Sequence, residues 1–456
     1  MKIERMKFEQ AKFEQNGLGA LLALAAPLVL SELGWMAMGI EDTMFVGRIG
    51  AEAIGAISIG TTVFYTIAIL GGGLMLGLDT LVSQAMGAGD IADRRRSLVN
   101  GLWLTVVLIP VVMLIVRVMV LLLTLFGVSP DVLRQVIPYM TALNWSTPPL
   151  LVFFCLRRYL QAIGHPRSVM IILVVANLLN IAGNWIFVFG NWGAPRLGAV
   201  GSAWSTVIAR TVMAAMAVCV LLRAEHGFFK MNWRPDLPRV TALLKLGAPA
   251  AGQIGAEMVV WAIATVLAGR LAATSLAGHQ IATTIVSTTY MLPLGVSSAA
   301  AVLVGHAIGR GDPRGAARSG WMAVGLGAAI MSICGLTFVG IPQFIARLFT
   351  PDAAIIAAAV PLLRLAAIFQ LFDGVQVVTT GALRGAGNTS VPMICHVVGY
   401  GAIGLPLGAV LCFHAGMGAP GLWIGLSTGL VLIGIALGIF WRRTARRMAA
   451  AESPAA

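Results

Sequence analysis

Residues 82–90 read VSQAMGAGD, and residues 304–312, which lie 222 positions further along the chain, read VGHAIGRGD. The same offset aligns the surrounding apolar segments without a gap. At an offset of 223, residues 160–164 (LQAIG) align with residues 383–387 (LRGAG). Near-constant offsets in separated stretches indicate that the chain contains two copies of one structural unit.

The composition of the chain indicates a membrane protein. Of its 456 residues, 58% are hydrophobic and 11% are charged, and the mean hydropathy is +0.89. Soluble domains carry roughly 25% charged residues, because a folded chain of this length needs polar side chains to cover its core. The long segments are apolar on every face, unlike the alternating strands of a membrane β-barrel. We therefore expect an all-α polytopic membrane protein.

About twelve segments between residues 18 and 441 are long enough to cross a membrane, the fourth of them at 134–156. If these segments span the bilayer, 23 of the lysines and arginines fall on one side and five on the other. Such an excess marks the cytoplasmic side. Both termini are therefore predicted to be cytoplasmic. The net charge of +13 reflects topology and attraction to membrane lipids, and does not indicate nucleic-acid binding.

The duplication also predicts how the chain is divided. Six spans in each repeat return the chain to its starting side, so the two repeats run in the same sense about an axis along the membrane normal. We expect two six-helix bundles around a cleft that opens to each side in turn. The predicted parts are a cytoplasmic N-terminal segment (1–17), an N-lobe (18–222), a cytoplasmic connector (223–240), a C-lobe (241–441) and a cytoplasmic tail (442–456).

Two acids lie in the middle of predicted spans, at Glu257 and Asp373. An acid at bilayer depth costs about 2.5–3.5 kcal/mol and normally faces a cavity, a partner or an ion. Gln370 and Gln376, at i−3 and i+3 from Asp373, project from the same helix face. We interpret the two acids as a site for a cation or a proton. The alternative is a structural ion pair, for which the basic residues within spans are candidates: Arg364 and Arg210.

A second polar group surrounds Asp42, near the outer end of the first span. Asn177, Asn180 and Asn184 occupy one face of the fifth span, and buried amides need hydrogen-bond partners. Asp42 across the bundle would supply them, and the cluster would then be functional; the alternative is that the amides only hold helices together. Glu32 lies deeper in the first span, and for this acid both interpretations remain open.

No motif points to a cofactor or to catalysis. The chain has no phosphate-binding loop of the Walker type, so an ion gradient is the expected energy source. The five cysteines form no CxxC pair and are read as buried apolar side chains. Aromatic side chains of the spans, such as Trp35 and Tyr65, could line a cavity that attracts aromatic cations.

Four further stretches carry a family resemblance: EDTMFVGRIG at 41–50, NLLNIAGNWIFV at 177–188, AGHQIATT at 277–284, and FQLFDGVQVVTTGALRGAGNTS at 369–390. Together with the paired glycine motifs they resemble the multidrug and toxic compound extrusion (MATE) family, in its NorM-like branch. The resemblance covers the chain from about residue 20 to residue 440. As a set, these motifs are specific.

The resemblance implies that Na⁺ or H⁺ drives export of amphipathic and often cationic drugs. Of the two ions, it favours Na⁺. By matching positions, Glu257 and Asp373 would bind the coupling cation, and as metal ligands they would hold Na⁺. Asp42, Asn180 and Asn184 match polar positions of the family, and Gln280 would face the cavity. Phe369 departs from the pattern, because an aromatic hydroxyl can occupy that position. The resemblance also implies a monomer that is not an enzyme, in the plasma membrane of a bacterium (its inner membrane).

Three other functions compete with this interpretation. A flippase for lipid-linked precursors would favour an arginine-lined cleft and more spans. A membrane-embedded enzyme would need a clustered polar site at one face, and no such cluster is evident in the sequence. A passive channel does not require two duplicated lobes with paired acids.

Overall fold

The structure, a computed structural model, describes residues 17–126 and 130–450. The predicted N-terminal segment thus lies almost wholly outside the described residues, as does the end of the predicted tail. Within the described ranges the chain forms helices and no β-strand. This confirms the all-α prediction.

The helices are numbered here in chain order. They are α1 (Leu18–Val46), α2 (Ala51–Leu74), α3 (Gly77–Gly87), α4 (Ile91–Leu122), α5 (Pro130–Asn144), α6 (Thr147–Ala162), α7 (Pro166–Phe189), α8 (Ala199–Ala224), α9 (Leu237–Ala268), α10 (Ala273–Gly309), α11 (Pro313–Gly340), α12 (Pro342–Arg347), α13 (Ala353–Gly385), α14 (Ser390–His396), α15 (Leu405–Phe413) and α16 (Ala419–Ala450). A π-helical stretch, Val397–Gly404, joins α14 to α15.

Eleven segments in the described part of the chain are long and apolar enough to cross a membrane. The predicted fourth span is divided between two shorter helices, α5 and α6, which are separated by Trp145 and Ser146. Two prolines at the start of α6 interrupt the helix, because proline has no N–H to donate to the preceding turn. With this interrupted helix, the count is close to the twelve spans predicted.

The chain forms two compact units. The first, here called the C-unit, comprises Met1–Val29, Ser83–Gly89 and Gly252–Ala456, and so contains most of the second repeat. The second, here called the N-unit, comprises Leu30–Val82 and Asp90–Ala251. Two unit boundaries fall inside α1 and α9, close to Pro27 and Pro249, which the repeat aligns. Each of these helices therefore contributes one end to each unit.

Small residues hold the C-unit together around α13. Gly381 lies against the backbone of Ser297 on α10, and Gly385 lies against the backbone of Ala301. Ser297 Oγ also donates a 2.7 Å hydrogen bond to the carbonyl of Val377. Because small side chains let helix backbones approach closely, α13 is held in a fixed register along α10. This contact positions Asp373.

The same device positions the polar residues of the N-unit. Gly183 on α7 lies against Ser205 on α8, and Gly201 on α8 lies against the carbonyl of Phe187 on α7. Ser205 Oγ donates a 2.8 Å hydrogen bond to the carbonyl of Asn180. The two helices thereby bring their polar faces together.

The connector after α8 is bound to the start of α4, within the N-unit. Glu225, which is buried, accepts hydrogen bonds from Arg94 Nη2 at 2.5 Å and from the Tyr159 hydroxyl at 2.6 Å. Further along the connector, Asp236 forms an ion pair with Arg96. The segment that joins the two repeats is thus fixed to the first of them by charge.

Candidate functional site

The structure places Asp42 in a buried hydrogen-bonded cluster of the N-unit. Asp42 Oδ1 accepts hydrogen bonds from Asn180 Nδ2 at 2.8 Å and from Asn184 Nδ2 at 2.7 Å, both on α7. Its Oδ2 accepts one from Thr206 Oγ1 on α8 at 3.0 Å. All four residues are buried. Both carboxylate oxygens are therefore satisfied by neutral donors.

Two other predicted polar residues of the N-unit have different partners. Asn177 Nδ2 lies 2.9 Å from the carbonyl of Gly34 and 2.9 Å from that of Leu173, so it bonds to backbone and not to Asp42. Glu32 is buried and forms an ion pair with Arg157. The sequence left open whether Glu32 has a functional or a structural role. The structure supplies the partner that a structural ion pair requires.

A buried arginine lies close to the Asp42 cluster. Arg210 Nη1 donates a 2.6 Å hydrogen bond to Ser146 Oγ, and Nη2 donates one of 2.6 Å to the Tyr65 hydroxyl. The guanidinium carbon lies 5.8 Å from the ring centroid of Trp35, 5.3 Å from that of Phe64 and 5.2 Å from that of Tyr65. The sequence analysis considered Arg210 only as a possible partner of Glu257 or Asp373, and the structure gives it different partners.

In the C-unit, α13 presents Asp373 between two glutamines. Asp373 is 3% exposed, and its Oδ1 accepts a 3.1 Å hydrogen bond from Gln376 Nε2. Gln370 Nε2 donates a 2.9 Å hydrogen bond to Thr289 Oγ1 on α10. Gln376 thus bonds to Asp373, and Gln370 bonds to the neighbouring helix.

Glu257 on α9 lies close enough to Asp373 for their charges to interact. Glu257 as a whole is half-buried, and its carboxylate is within hydrogen-bonding reach of Tyr290. Both acids act electrostatically on Tyr400, in the π-helical stretch. Among the described residues, neither acid has a basic partner within 4.0 Å, and Arg364 is exposed. The structural ion pair considered from the sequence is therefore not formed.

Several buried side-chain oxygens along α13, the helix of Asp373, have no hydrogen-bond partner. They are Asp373 Oδ2, Gln370 Oε1, Gln376 Oε1, Thr379 Oγ1 and Thr380 Oγ1. Buried acceptors without a donor are costly, and hard cations take oxygen ligands of these kinds. The residues of the C-unit therefore suit a small cation. Since the described residues hold no group of three or more His, Cys, Asp or Glu that could bind a metal, amide and hydroxyl oxygens would have to complete its coordination.

The start of α10 carries mainly structural contacts. His279 Nδ1 accepts a 3.0 Å hydrogen bond from Trp423 Nε1, so the ring proton is on Nε2, which lies 3.2 Å from Thr265 Oγ1. Gln280, predicted to face a cavity, is exposed. Phe369 is buried and packs against Trp423, with 6.1 Å between ring centroids. It offers no oxygen to the acids.

The sequence is similar to known proteins over almost its whole length. The sequence model of the MatE family matches residues 27–186 and 249–410, one match in each repeat. A probable multidrug resistance protein NorM of Mesorhizobium japonicum is 38% identical over 439 residues, which cover 94% of each chain. The multidrug resistance protein NorM of Burkholderia vietnamiensis is 36% identical over 431 residues, 92% of each chain.

Solved structures share the fold at low sequence identity. The outward-facing conformation of a multidrug resistance MATE family transporter of the MOP superfamily superimposes with a TM-score of 0.87 at 19% identity, over 96% of this chain and 97% of that one. The eukaryotic MATE transporter AtDTX14 gives a TM-score of 0.82 at 20% identity, over 98% and 99%. These structures agree with the helical architecture described above.

Proposed function

The chain belongs to the MatE family, and from this premise we propose that it is a secondary active multidrug efflux transporter. It exports amphipathic and often cationic compounds from the cytoplasm in exchange for Na⁺ or H⁺. The similar chains from Mesorhizobium and Burkholderia carry multidrug resistance names, which support the choice of cargo. The protein would act in the bacterial inner membrane, with both termini in the cytoplasm.

The arrangement around Asp373 carries the proposal of cation coupling. Two acids from different helices interact there, neither has a basic partner within 4.0 Å among the described residues, and Asp373 Oδ2 and the side-chain oxygens of Gln370 and Gln376 lack donors. A cation from outside the cell would satisfy these oxygens and compensate the charge. When the cation leaves on the cytoplasmic side, the two acids again lack a compensating charge. They can then bind another cation in the next exchange. Two repeats that run in the same sense suit a cleft that opens to alternate sides.

Ethidium transport in proteoliposomes tests this function. A sodium gradient and a proton gradient are imposed separately on wild type, on Glu257→Gln and on Asp373→Asn. Transport driven by either gradient, and lost in both variants, would establish coupled antiport and identify the ion. Asp131→Asn is a suitable control, because it removes an acid that is exposed at the start of α5.

Two results would overturn the proposal. If Glu257→Gln and Asp373→Asn both transport ethidium as wild type does, the two acids do not couple transport. If folded wild-type protein moves no ethidium under either gradient, the drug assignment fails. A flippase for lipid-linked precursors would then be tested next with labelled lipid-linked substrates.

A further inference from the structure

Arg210 is a fully buried cation in an apolar helix, and the coupling mechanism proposed above does not use it. It is 0% exposed and lies in α8, one of the candidate membrane spans. A guanidinium at this depth is costly unless an opposite charge compensates it. In the part of the chain that the structure describes, no carboxylate lies within the 4.0 Å of a direct ion pair with Arg210.

The groups that touch Arg210 are all neutral. Two are the hydroxyls of Ser146 and Tyr65, and three are the aromatic faces of Trp35, Phe64 and Tyr65. Aromatic faces attract a cation through their quadrupole, but they carry no net charge. These contacts hold the guanidinium in place and leave its positive charge uncompensated.

Asp42 is the acid placed to compensate that charge. Thr206, which donates to Asp42 Oδ2, precedes Arg210 by four residues on α8, so both lie on one helix face. Thr206 thus places Asp42 within electrostatic reach of Arg210, although no direct contact joins the two residues, and the half-buried Glu41 is a second acid beside Asp42. Asp42 itself accepts hydrogen bonds from neutral donors only. The two residues therefore form a separated pair of opposite charges inside the N-unit.

The two units differ in this respect. Among the described residues of the C-unit, no basic residue lies within 4.0 Å of the carboxylates of Glu257 and Asp373, whereas Asp42 in the N-unit has a cation on the neighbouring helix. We propose that Arg210 is the built-in counter-ion of Asp42. It occupies electrostatically the place of a coupling cation, so Asp42 recruits none and only the C-unit acids take cations from solution.

This inference rests on the proposed antiport, and it gives Asp42 a different role from the cation ligand that the sequence predicted. The two roles differ in the number of cations exchanged per drug. With Arg210 present, the Asp42 site adds no cation to the exchange. Without Arg210, Asp42 would be an uncompensated buried acid like Asp373 and would require a cation from solution.

The test measures how many cations are exchanged per ethidium in proteoliposomes. The ratio is obtained from the ethidium gradient at which an imposed cation gradient produces no net flux of ethidium. We expect Arg210→Met to exchange an additional cation per ethidium. Arg210→Lys, which keeps the charge, should retain the wild-type ratio. The double variant Asp42→Asn/Arg210→Met removes both charges and should also return to the wild-type ratio.

Other results would overturn the inference. A wild-type ratio in Arg210→Met would show that Arg210 does not replace a cation. A ratio in the double variant below that of wild type would show that Asp42 itself binds a coupling cation. If wild type transports no ethidium, the antiport proposal fails instead, and thermal unfolding then tests the charge pair: Arg210→Met should unfold at a lower temperature than the double variant. The reverse order would reject the pair.

Discussion

Gly73 on α2 lies so close to Ala251 on α9 that a methyl group added to Gly73 would be 2.9 Å from the Ala251 Cα atom. The relationship recurs 222 residues away, where Gly295 on α10 lies against Val29 on α1. The first pair is inside the N-unit and the second inside the C-unit. The repeat found in the sequence is therefore also a repeat of backbone contacts, and its glycines are the residues that permit them.

Replacing Gly295 by alanine is expected to destabilise the protein by about 1–3 kcal/mol, as overpacking generally does. The added methyl group would lie 2.6 Å from Val29 Cα, and a backbone atom cannot move aside as a side chain can. Gly325→Ala is the matched control, because nothing lies within 4 Å of that position. Thermal unfolding in detergent measures both. Equal melting temperatures for the two variants would show that the Gly295 contact does not matter for stability.

The pattern of apolar segments predicted the all-α fold almost completely. It could not predict where one compact unit ends and the other begins. Span limits follow from the length of apolar segments, which a single sequence contains. The assignment of the two ends of α1 to different units depends on backbone approach at residues such as Gly295. The repeat aligns Pro27 with Pro249, but an aligned proline does not show where a helix passes from one unit to the other.

The ion pair of Glu32 and Arg157 gives a second prediction. Arg157→Met should destabilise the protein by about 3–5 kcal/mol, because it leaves Glu32 charged, buried and without its partner. Glu32→Gln/Arg157→Met should recover most of this loss, since it removes both charges. The double-mutant cycle is read from thermal unfolding. A double variant as unstable as Arg157→Met would show that the loss does not come from leaving Glu32 charged and without its partner.

The amides of α7 give a third prediction, in which neighbouring positions serve as each other's control. Asn184→Leu removes a donor to Asp42 Oδ1 and should cost about 1.5–3 kcal/mol, the range for a hydrogen bond to a charged group. Asn177→Leu removes bonds to backbone carbonyls only and should cost about 0.5–1.5 kcal/mol. Denaturant or thermal unfolding ranks the two, and a larger loss for Asn177→Leu would contradict the importance of Asp42 as an acceptor.

The candidate site was predictable to the extent that it consists of charges in apolar segments. Glu257, Asp373 and Asp42 stand out because an acid within a span is rare. Their partners come from helices distant in sequence, such as Thr206 beside Asp42, and a serine or threonine in a span is too common to be noticed. Tyr400 was also missed, because its position depends on the π-helical stretch that contains it.

Gln376 provides the most direct test of how the C-unit acids are held. Its Nε2 donates to Asp373 Oδ1, while its own Oε1 is buried without a donor. Gln376→Leu removes the donor that orients the carboxylate and also an oxygen available to a cation. Residues that support a metal ligand typically change affinity by about 10–100-fold when they are replaced. We therefore expect the concentration of coupling cation that half-saturates ethidium transport to rise by about 10-fold or more.

The control for that experiment is Gln343→Leu, an equivalent change at an exposed position of α12. It should leave the half-saturating concentration unchanged, because Gln343 is exposed and lies on a different helix from Gln376 and Asp373. A maximal transport rate that falls in Gln376→Leu at unchanged half-saturation would indicate that Gln376 acts in a later step. In that case Asp373 would be oriented for the cation by the helix backbone alone.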